Sequence, residues 1–333
     1  PDTPPRRPPP VRDPNAKPPV EDPPQKPRKK PMRDPVDQGV AALTHPDRVL
    51  YPEQGTTKLD LARYLAKVAE PLLAHAAGRP LMLKRCPEGY RGTCFFQKHP
   101  SGPVPASFGT VRIRERTKTE DYLLLRNAEG LMELAQRSVL EIHVWGARAE
   151  ALERPDRVVF DFDPHESTPW AHVVDAALRM RDLLRELDLE SFVKTTGGGG
   201  LHVVVPTRKG PTWDDVKDFS AALASTLVRE EPDRYTLHLP KARRGTRMFI
   251  DTLRNRRGAT WIAPYSPRAR EGAPVSMPLE WRDVSKRLSP RAFSIRALLQ
   301  RPRLSRDAWA GIDNVRQTIT LSRLRSAAGR ARR

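Results

Sequence analysis

Cysteine and long hydrophobic stretches are scarce in this chain, and both shortages narrow what the protein can be. The 333 residues include only two cysteines, Cys86 and Cys94, which are too few for a disulfide-rich scaffold or a self-contained zinc site. Both are predicted to be free thiols in a reducing, cytoplasmic compartment. No apolar run approaches the roughly 18–20 residues that cross a bilayer, so the sequence excludes a membrane-spanning protein.

Acidic residues are in deficit as well. The chain has 59 lysines and arginines against 40 aspartates and glutamates, which leaves a formal charge of +19 at pH 7. A folded body with this surplus is expected to bind a polyanion. Nucleic acid is the first expectation, and an anionic membrane surface is a distant second.

Proline is concentrated in one segment. Residues 1–35 contain 14 of the 35 prolines and no Ile, Leu, Phe, Trp or Tyr. Such a segment cannot bury enough apolar surface to offset the entropy lost on ordering, so it is predicted to be a disordered, basic linker. Because a linker must tether something, we expect a further module upstream. Residues 326–333 are predicted to form a short basic tail.

Residues 36–325 have the pattern of one globular domain. Apolar residues at helical spacing predict helices at 57–77, 170–187 and 213–229, and within 278–325. Short apolar runs predict strands at 81–85, 93–97, 121–125, 140–145, 157–162, 191–194, 201–206, 235–239, 247–251 and 259–263. Because helices and strands interleave without regular alternation, the predicted fold class is α+β (mixed α/β).

The sharpest chemical signal is Asp161-Phe162-Asp163, at the end of a β-branched run. Side chains alternate along a strand, so the two carboxylates are expected on one face and Phe162 on the other. Neighbouring carboxylates raise each other's pKa unless a cation such as Mg²⁺ or Mn²⁺ neutralises them. Asp251 ends a second apolar strand and could share the site if the two strands are neighbours. A plain exposed strand end is the alternative.

Four consecutive glycines, Gly197 to Gly200, lie between two predicted strands, with Thr196 before them and His202 after them. Their N–H groups could cradle phosphate oxygens, with the Thr196 hydroxyl as a further donor and His202 as an imidazolium. The loop matches neither a Walker A motif nor a dinucleotide-binding fingerprint. A flexible hairpin with a structural histidine is the alternative.

Phe95 and Phe96 are adjacent aromatics that precede Lys98. Alternation along a strand predicts that one ring is buried and the other exposed, and an exposed ring can stack on a nucleobase. Burial of both rings in the core is the alternative.

Several short sequence blocks occur along the chain in the same order as in a known protein family. They are His45-Pro46-Asp47-Arg48-Val49-Leu50-Tyr51-Pro52, Thr57-Lys58, Gly78-Arg79-Pro80-Leu81, Phe95-Phe96-Gln97-Lys98-His99, Glu141-Ile142-His143-Val144-Trp145, Asp161-Phe162-Asp163-Pro164, the glycine loop with His202, and Ala263-Pro264-Tyr265-Ser266-Pro267-Arg268. Residues of about 37–325 thereby resemble the polymerase domain of bacterial DNA ligase D, in the archaeo-eukaryotic primase superfamily. The resemblance implies a primase-polymerase core with an RRM-like antiparallel sheet, plus an N-terminal α/β subdomain.

The resemblance also implies roles for individual residues. The expected catalytic residues, which would bind two Mn²⁺ or Mg²⁺ ions, are Asp161, Asp163 and Asp251. The residues expected around an NTP or dNTP substrate are Lys84, His143, Thr196, Gly197, Gly198, His202, Arg244 and Arg268. The residues expected to bind DNA are Phe95 and Phe96, which would stack on the template, Lys98 near the backbone, and Arg48 and Lys58, which would bind a 5′-phosphate across a gap.

One motif departs from the family pattern. Members commonly have Ser-Gly-x-Lys-Gly-Leu-His, whereas this chain has Thr196 in place of the serine and Gly199 in place of the lysine. The hydroxyl group is kept, but the loss of a cation is expected to weaken nucleotide binding.

The resemblance implies a DNA repair polymerase that fills gaps and extends 3′ ends in bacterial non-homologous end joining. A two-metal mechanism and a preference for ribonucleotides are expected. The expected partners are gapped DNA ends with a 5′-phosphate, bacterial Ku, and covalently linked ligase and phosphoesterase modules, with no membrane. The expected location is the bacterial cytoplasm, at the nucleoid. A de novo primase and a non-catalytic DNA-end-binding module are the alternatives.

Overall fold

The computed structural model describes residues 39–40, 42–208, 210–289, 291–302, 304 and 306–320. The linker predicted over 1–35 and the tail predicted over 326–333 lie outside these residues, so both remain predictions. Within the described ranges, no helix is long and apolar enough to cross a membrane.

Strands and helices follow one another without a repeating order. The strands are β1 (Val49–Tyr51), β2 (Thr56–Thr57), β3 (Leu81–Arg85), β4 (Phe95–Gln97), β5 (Phe108–Arg114), β6 (Thr119–Leu125), β7 (Val139–Trp145), β8 (Arg157–Asp163), β9 (Phe192–Thr195), β10 (Leu201–Pro206), β11 (Tyr235–Thr236), β12 (Met248–Asp251), β13 (Thr260–Ile262) and β14 (Pro278–Leu279). The helices are α1 (Lys58–Lys67), α2 (Ala69–Ala76), α3 (Ala128–Gln136), α4 (Trp170–Glu186), α5 (Trp213–Glu230) and α6 (Ile295–Leu299). The predicted α+β class is confirmed.

Two sheets form the frame of the molecule. The larger sheet has the strand order β11-β12-β8-β10-β9-β14 and is antiparallel except where β11 runs parallel to β12. The smaller sheet is antiparallel throughout, in the order β13-β7-β3-β4. Strands β5 and β6 form a separate hairpin.

The central strand β8 divides two hydrophobic cores. Phe160 and Phe162 lie in the core under α4 and α5, whereas Val159 lies in the core shared with the smaller sheet. Consecutive residues of β8 therefore face opposite cores, as strand alternation requires. Asp161 continues the face of Val159 and so points toward the side of the smaller sheet.

The first predicted helix is in fact two helices. The Thr57 side chain accepts a hydrogen bond from the Asp60 N–H, and the Asp60 side chain accepts one from the Thr57 N–H, so α1 begins with a capping box. The helix ends at Lys67, and Val68 (φ −100°, ψ 10°) separates it from α2. Pro71 lies in the first turn of α2, where its missing N–H breaks no helical hydrogen bond. Pro71 is therefore compatible with α2.

Cys86 and Cys94 form a disulfide, so the prediction of two free thiols is wrong. Cys86 directly follows β3 and Cys94 directly precedes β4. Because β3 and β4 are antiparallel neighbours, the returning chain brings the second cysteine back beside the first. A count of cysteines cannot reveal this pairing, which depends on the hairpin.

Some elements differ from the apolar pattern. Helix α3 is not predicted, because it has only nine residues; its N-cap is Asn127, whose side chain accepts a hydrogen bond from the Gly130 N–H. Strand β5 is not predicted either, because it contains no continuous apolar run, although its alternation of apolar and polar residues is typical of a half-buried strand. In the region 278–325, where helices are predicted, the described residues form the short strand β14, the short helix α6 and turns of 3₁₀ helix.

Candidate active site

Four polar residues stand side by side across the larger sheet. Asp251 of β12 lies opposite Asp161 of β8, His202 of β10 lies opposite Asp161 on its other side, and Lys194 of β9 lies opposite His202. Directly opposed residues of antiparallel strands share a face, so these side chains form one row, called the polar row below. Strands β8 and β12 are therefore neighbours, which is the condition for their carboxylates to share a site. Asp163 lies two residues beyond Asp161 on β8, and both residues line one cavity.

An arginine lies between the carboxylates of the polar row. Arg254 Nε is 3.2 Å from Asp161 Oδ2 and 3.4 Å from Asp251 Oδ2. Burial favours a higher pKa for Asp161, but His202 and Arg254 outweigh it and lower that pKa well below its usual range. Burial raises the pKa of Asp163 and of Asp251, and the charge of Asp161 adds to both effects. Asp163 and Asp251 therefore lack sufficient positive charge around them, whereas Asp161 does not.

The basic half of the polar row is enclosed by protein. His202 Nε2 lies 3.2 Å from Asp161 Oδ1. Burial lowers the pKa of His202 to about 4, and Lys194 adds to the effect, which favours a neutral ring over the predicted imidazolium. Lys194 Nζ donates a hydrogen bond to Ser276 Oγ (2.5 Å) and lies 5.6 Å from the centre of the Trp261 ring. Burial lowers the pKa of Lys194 well below its usual value.

The glycine loop is organised by the Thr196 hydroxyl. Thr196 Oγ1 accepts hydrogen bonds from the N–H groups of Gly198 (3.1 Å) and Gly200 (3.2 Å) and donates one to the Gly200 carbonyl (3.2 Å). The hydroxyl therefore acts within the loop in this structure, whereas the sequence predicts a donor to phosphate. Gly200 packs so closely on β8 that a Cβ there would lie 2.1 Å from the Phe162 carbonyl oxygen, so no other residue fits.

Gly199, which replaces the lysine of the family pattern, has a left-handed backbone. Its φ is +112°, and no atom lies within 4 Å of the point where a Cβ would be. A side chain at this position would have room, but the backbone conformation favours glycine. A different cation contacts this loop: Arg270 Nη1 donates a hydrogen bond to the Gly198 carbonyl (3.3 Å).

Basic side chains face the polar row from the smaller sheet and from the loop after β13. His143 of β7, Arg268 and Arg270 line the same cavity of about 640 Å³ as Asp161 and Thr196. Arg268 Nη1 donates a hydrogen bond to the Thr196 carbonyl (2.5 Å). These side chains are called the basic wall below, and they give the cavity a negative side and a positive side.

A buried glutamate, Glu141, lies within 4 Å of several basic side chains on this side of the cavity. Lys84 of β3 lies opposite Glu141 of β7, with Lys84 Nζ 3.7 Å from Glu141 Oε1. The same carboxylate is 2.8 Å from His143 Nε2 and 3.3 Å from Arg268 Nε. Three residues predicted to bind nucleotide, Lys84, His143 and Arg268, are therefore brought together around Glu141.

Arg244 lies at the edge of this cavity. Its Nη1 is 3.2 Å from Asp163 Oδ2, and its guanidinium lies 3.9 Å from the centre of the Phe249 ring. An adjoining cavity of about 1760 Å³ continues from Asp163 and Arg244 to Lys241 and Arg247. A basic opening thus leads outward from the carboxylates.

Phe95 and Phe96 are both exposed, at 44% and 55%. The prediction that alternation buries one ring is wrong, because β4 is a short edge strand and neither ring joins a hydrophobic core of the described residues. The Arg85 guanidinium lies 5.2 Å from the centre of the Phe95 ring, and Lys84 Nζ lies 5.9 Å from that of Phe96. Lys98 follows β4 and is exposed.

Arg48 and Lys58 lie together but do not line the cavity of the carboxylates. The Lys58 N–H donates a hydrogen bond to the Arg48 carbonyl (2.8 Å). Lys58 is buried, and its Nζ donates to the Thr44 carbonyl (2.9 Å) and to Gln136 Oε1 (3.2 Å). Burial lowers the pKa of Lys58, and the charge of Arg48 lowers it further. The two cations thus form a separate basic spot.

Some residues of the site have no assigned role in the sequence prediction; they are Glu141, Lys194, Arg254 and Arg270. Their spacing from predicted site residues is the signal that could have found them. Glu141 is two residues from His143 on one strand, Arg254 is three residues after Asp251, and Arg270 is two residues after Arg268. Lys194 is detectable only from the pairing of β9 with β10.

Comparison with known proteins identifies the family of this chain. A family model described as the LigD primase-polymerase domain matches residues 57–309. The chain belongs to this family. Among curated relatives of this polymerase domain, the multifunctional non-homologous end joining protein LigD of Pseudomonas aeruginosa is 38% identical over 283 residues, or 84% of this chain and 33% of the relative. The protein of the same name from Mycolicibacterium smegmatis is 34% identical over 245 residues, or 73% of this chain and 32% of the relative.

A solved structure matches the fold of this LigD-type polymerase domain. The polymerase domain from Mycobacterium tuberculosis ligase D in complex with DNA aligns with a TM-score of 0.75 and 33% sequence identity, covering 82% of this chain and 98% of that chain. The predicted family and fold are therefore confirmed. The chain spans about a third of the length of the curated relatives named above.

Proposed function

We propose that this polymerase domain is a divalent-metal-dependent nucleotidyltransferase that extends DNA 3′ ends and fills gaps. The observation that carries the proposal is the group of three carboxylates, Asp161, Asp163 and Asp251, of which the last two have raised pKa values, beside a cavity lined by arginine and histidine. A nucleoside triphosphate requires cations and hydrogen-bond donors, and a divalent metal requires oxygen ligands. The two sides of the cavity offer both, and membership of the family supports the same function.

The carboxylates suit Mn²⁺ or Mg²⁺ by their chemistry. They supply hard oxygen ligands, and the raised pKa of Asp163 and Asp251 is relieved by any added cation. Among the residues that the structure describes, no group of three His, Cys, Asp or Glu is already arranged around a metal position, and Arg254 lies between Asp161 and Asp251. Metal binding by these carboxylates therefore requires Arg254 to release them, which would free its guanidinium for a phosphate.

Each remaining group has a task that follows from its position. When bound, the two ions would align the primer 3′-hydroxyl with the α-phosphate and neutralise developing charge. Arg244, Arg268 and Arg270 offer guanidinium groups to the triphosphate. The residues proposed to complete the nucleotide site are Lys84, His143, Thr196, Gly197, Gly198 and His202. Since Thr196 shapes the glycine loop and His202 Nε2 lies 3.2 Å from Asp161 Oδ1, we assign both to holding the loop and Asp161 in place.

The DNA contacts are proposed on aromatic and basic groups that do not line the cavity of the carboxylates. Phe95 and Phe96 are exposed and adjacent, which suits stacking on template bases. Lys98 would contact the backbone beside them. Arg48 and Lys58, apart from the carboxylates, would bind a 5′-phosphate on the far side of a gap. Because these contacts neutralise phosphates, DNA affinity should fall steeply with added salt.

The names of the relatives support a role in double-strand break repair. We propose that the domain acts in bacterial non-homologous end joining as part of a longer protein that includes ligase and phosphoesterase modules, together with Ku. We also propose that it prefers ribonucleotides.

The decisive experiment is primer extension on a gapped duplex with a 5′-phosphate, with Mn²⁺ or Mg²⁺ and with NTPs or dNTPs. The double variant Asp161→Ala/Asp163→Ala should lose at least about 1000-fold in extension and keep its affinity for DNA. Asp214→Ala/Asp218→Ala, at two exposed aspartates of α5, is the matched control and should extend normally. Unchanged extension by the first variant contradicts the metal assignment.

Two further reactions separate the alternative functions. Product from an unprimed template would indicate a de novo primase. DNA binding by the wild-type domain without any extension would indicate a non-catalytic end-binding module.

A further inference from the structure

Glu141 is a buried carboxylate, 3% exposed, at the centre of the basic wall. Its Oε2 accepts a hydrogen bond from His143 Nε2 (2.8 Å), and its Oε1 accepts one from the Ala269 N–H (3.1 Å). Arg268 Nε and Lys84 Nζ lie 3.3 Å and 3.7 Å from Oε1. Both oxygens are therefore occupied, and every group around them donates hydrogen bonds or carries positive charge.

Only an ionised carboxylate satisfies all these groups. Burial favours a higher pKa for Glu141, but the hydrogen bond from His143 and the charge of Arg268 lower it far below its usual range. An ionised carboxylate accepts at both oxygens, whereas an amide accepts at one atom and donates at the other. His143 Nε2 must therefore be the donor in this hydrogen bond.

Arg268 connects Glu141 to the glycine loop. Its Nη1 donates to the Thr196 carbonyl (2.5 Å), and its backbone N–H donates to the Pro274 carbonyl (2.9 Å). Gly197 leaves room for it, because a Cβ there would lie 2.8 Å from Arg268 Cγ. The guanidinium is therefore held between Glu141 of the smaller sheet and a loop of the larger sheet. Fixing one end of this side chain fixes the direction of its remaining donors.

We propose that Glu141 is a positioning residue, which holds Arg268 and His143 in the orientation that the incoming nucleotide requires. The inference rests on the proposed function, because it concerns the same site. Glu141 acts through its neighbours, since its own oxygens are already paired and little of its surface is exposed.

A purely electrostatic role for Glu141 would have the opposite consequence. Glu141 adds negative charge to a cavity that would bind a polyanion, so its removal would strengthen triphosphate binding if net charge alone mattered. If orientation matters more, removal weakens binding, because Arg268 and His143 lose their fixed geometry. The sign of the change in nucleotide affinity therefore distinguishes the two roles.

The experiment compares Glu141→Gln with Glu133→Gln, the same change at a glutamate of α3 that pairs only loosely with Arg137 (3.8 Å). Equilibrium binding of GTP with Mn²⁺ gives Kd, and primer extension gives KM and kcat. Glu141→Gln should raise Kd and KM about tenfold with a smaller change in kcat, and Glu133→Gln should change none of them. Glu141→Asp, which keeps the charge, should recover part of the affinity. An unchanged or tighter Kd in folded Glu141→Gln overturns the inference.

Nitrogen-15 NMR of His143 adds a measurement that requires neither a variant nor activity. In the wild type, Nε2 of the ring should carry a hydrogen, because it donates to Glu141 Oε2. A ring without hydrogen on Nε2 overturns the inference, even if Glu141→Gln does not fold. If the wild type neither binds GTP nor extends a primer, the proposed function fails and takes this inference with it. If the wild type does both and Glu141→Gln binds GTP equally well, only this inference fails.

Discussion

Carboxylates on the two sides of the cavity are neutralised to different degrees. On the smaller sheet, the single carboxylate of Glu141 is surrounded by three basic side chains, and its pKa is lowered. On the larger sheet, three carboxylates share two guanidinium groups, those of Arg244 and Arg254. The pKa values of Asp163 and Asp251 are raised there.

The difference separates carboxylates that organise protein groups from carboxylates prepared for an external cation. Glu141 gains nothing from an added metal ion, because protein donors already occupy both of its oxygens. Asp163 and Asp251 are destabilised by burial and by a neighbouring like charge, so an added cation stabilises them. The same chemical group thus serves as an internal anchor on one side and as a prospective metal ligand on the other.

The largest expected effect is on the larger sheet. Asp251→Asn keeps the size of the side chain but removes the charge that an ion would require. We expect the rate of primer extension to fall about 1000-fold, equivalent to about 4 kcal/mol, with DNA affinity unchanged. Single-turnover extension with Mn²⁺ measures the rate, and a filter-binding assay measures the affinity. A wild-type rate would exclude Asp251 from the metal-binding set.

Asp156 extends the comparison to a carboxylate outside the cavity. Both of its oxygens accept hydrogen bonds from the buried guanidinium of Arg79, at 2.6 Å each. Asp156→Asn leaves that cation unpaired, so the free energy of unfolding should fall by about 3 kcal/mol. Urea denaturation measures this loss. Extension per folded molecule should be unchanged, and a catalytic defect instead would show that full neutralisation does not mark a structural carboxylate.

The same ion pair predicts a dependence of stability on pH. Burial opposes ionisation of Asp156, but Arg79 and Arg157 lower its pKa from 3.8 to about 2. Its contribution is therefore complete above pH 3.8 and is lost as the pH falls toward 2. Over this window the wild type should lose more stability than Asp156→Asn, as measured by urea denaturation at several pH values. Parallel curves would contradict the assignment.

The smallest expected effect is a stabilisation by metal. Mn²⁺ at about ten times its Kd should stabilise the wild-type domain by about 1.4 kcal/mol, because it binds only the folded state. The shift should nearly vanish in Asp251→Asn and persist in Glu141→Gln. Thermal unfolding with and without Mn²⁺ measures it. Equal shifts in all three proteins would place the bound metal elsewhere.

Local features of the site were predictable from the sequence, and most contacts between distant segments were not. Alternation around Phe162 correctly predicts that Asp161 faces away from the core under α4 and α5. The pairing of β8 with β12, which brings Asp251 beside Asp161, depends on sheet order and could only be posed as a condition. Glu141 begins the motif Glu141-Ile142-His143-Val144-Trp145. The sequence around it does not show that Arg268, more than a hundred residues later, would contact it.

Errors in the prediction have the same origin. The exposure of both Phe95 and Phe96 depends on β4 being an edge strand, and strand alternation contains no information about sheet position. The disulfide depends on the return of the chain after β3. In both cases the strand itself was predicted correctly, but the sequence does not show which strands lie beside it in the fold.

The left-handed backbone at Gly199 limits which residues can occupy this position. A lysine at this position would be strained, because its φ is +112° even though the space is open. The peptide would have to adopt another path, and the close packing of Gly200 on β8 limits the paths available. A positive charge at this loop is therefore supplied with less strain by Arg270, which already contacts the Gly198 carbonyl, than by a residue at position 199.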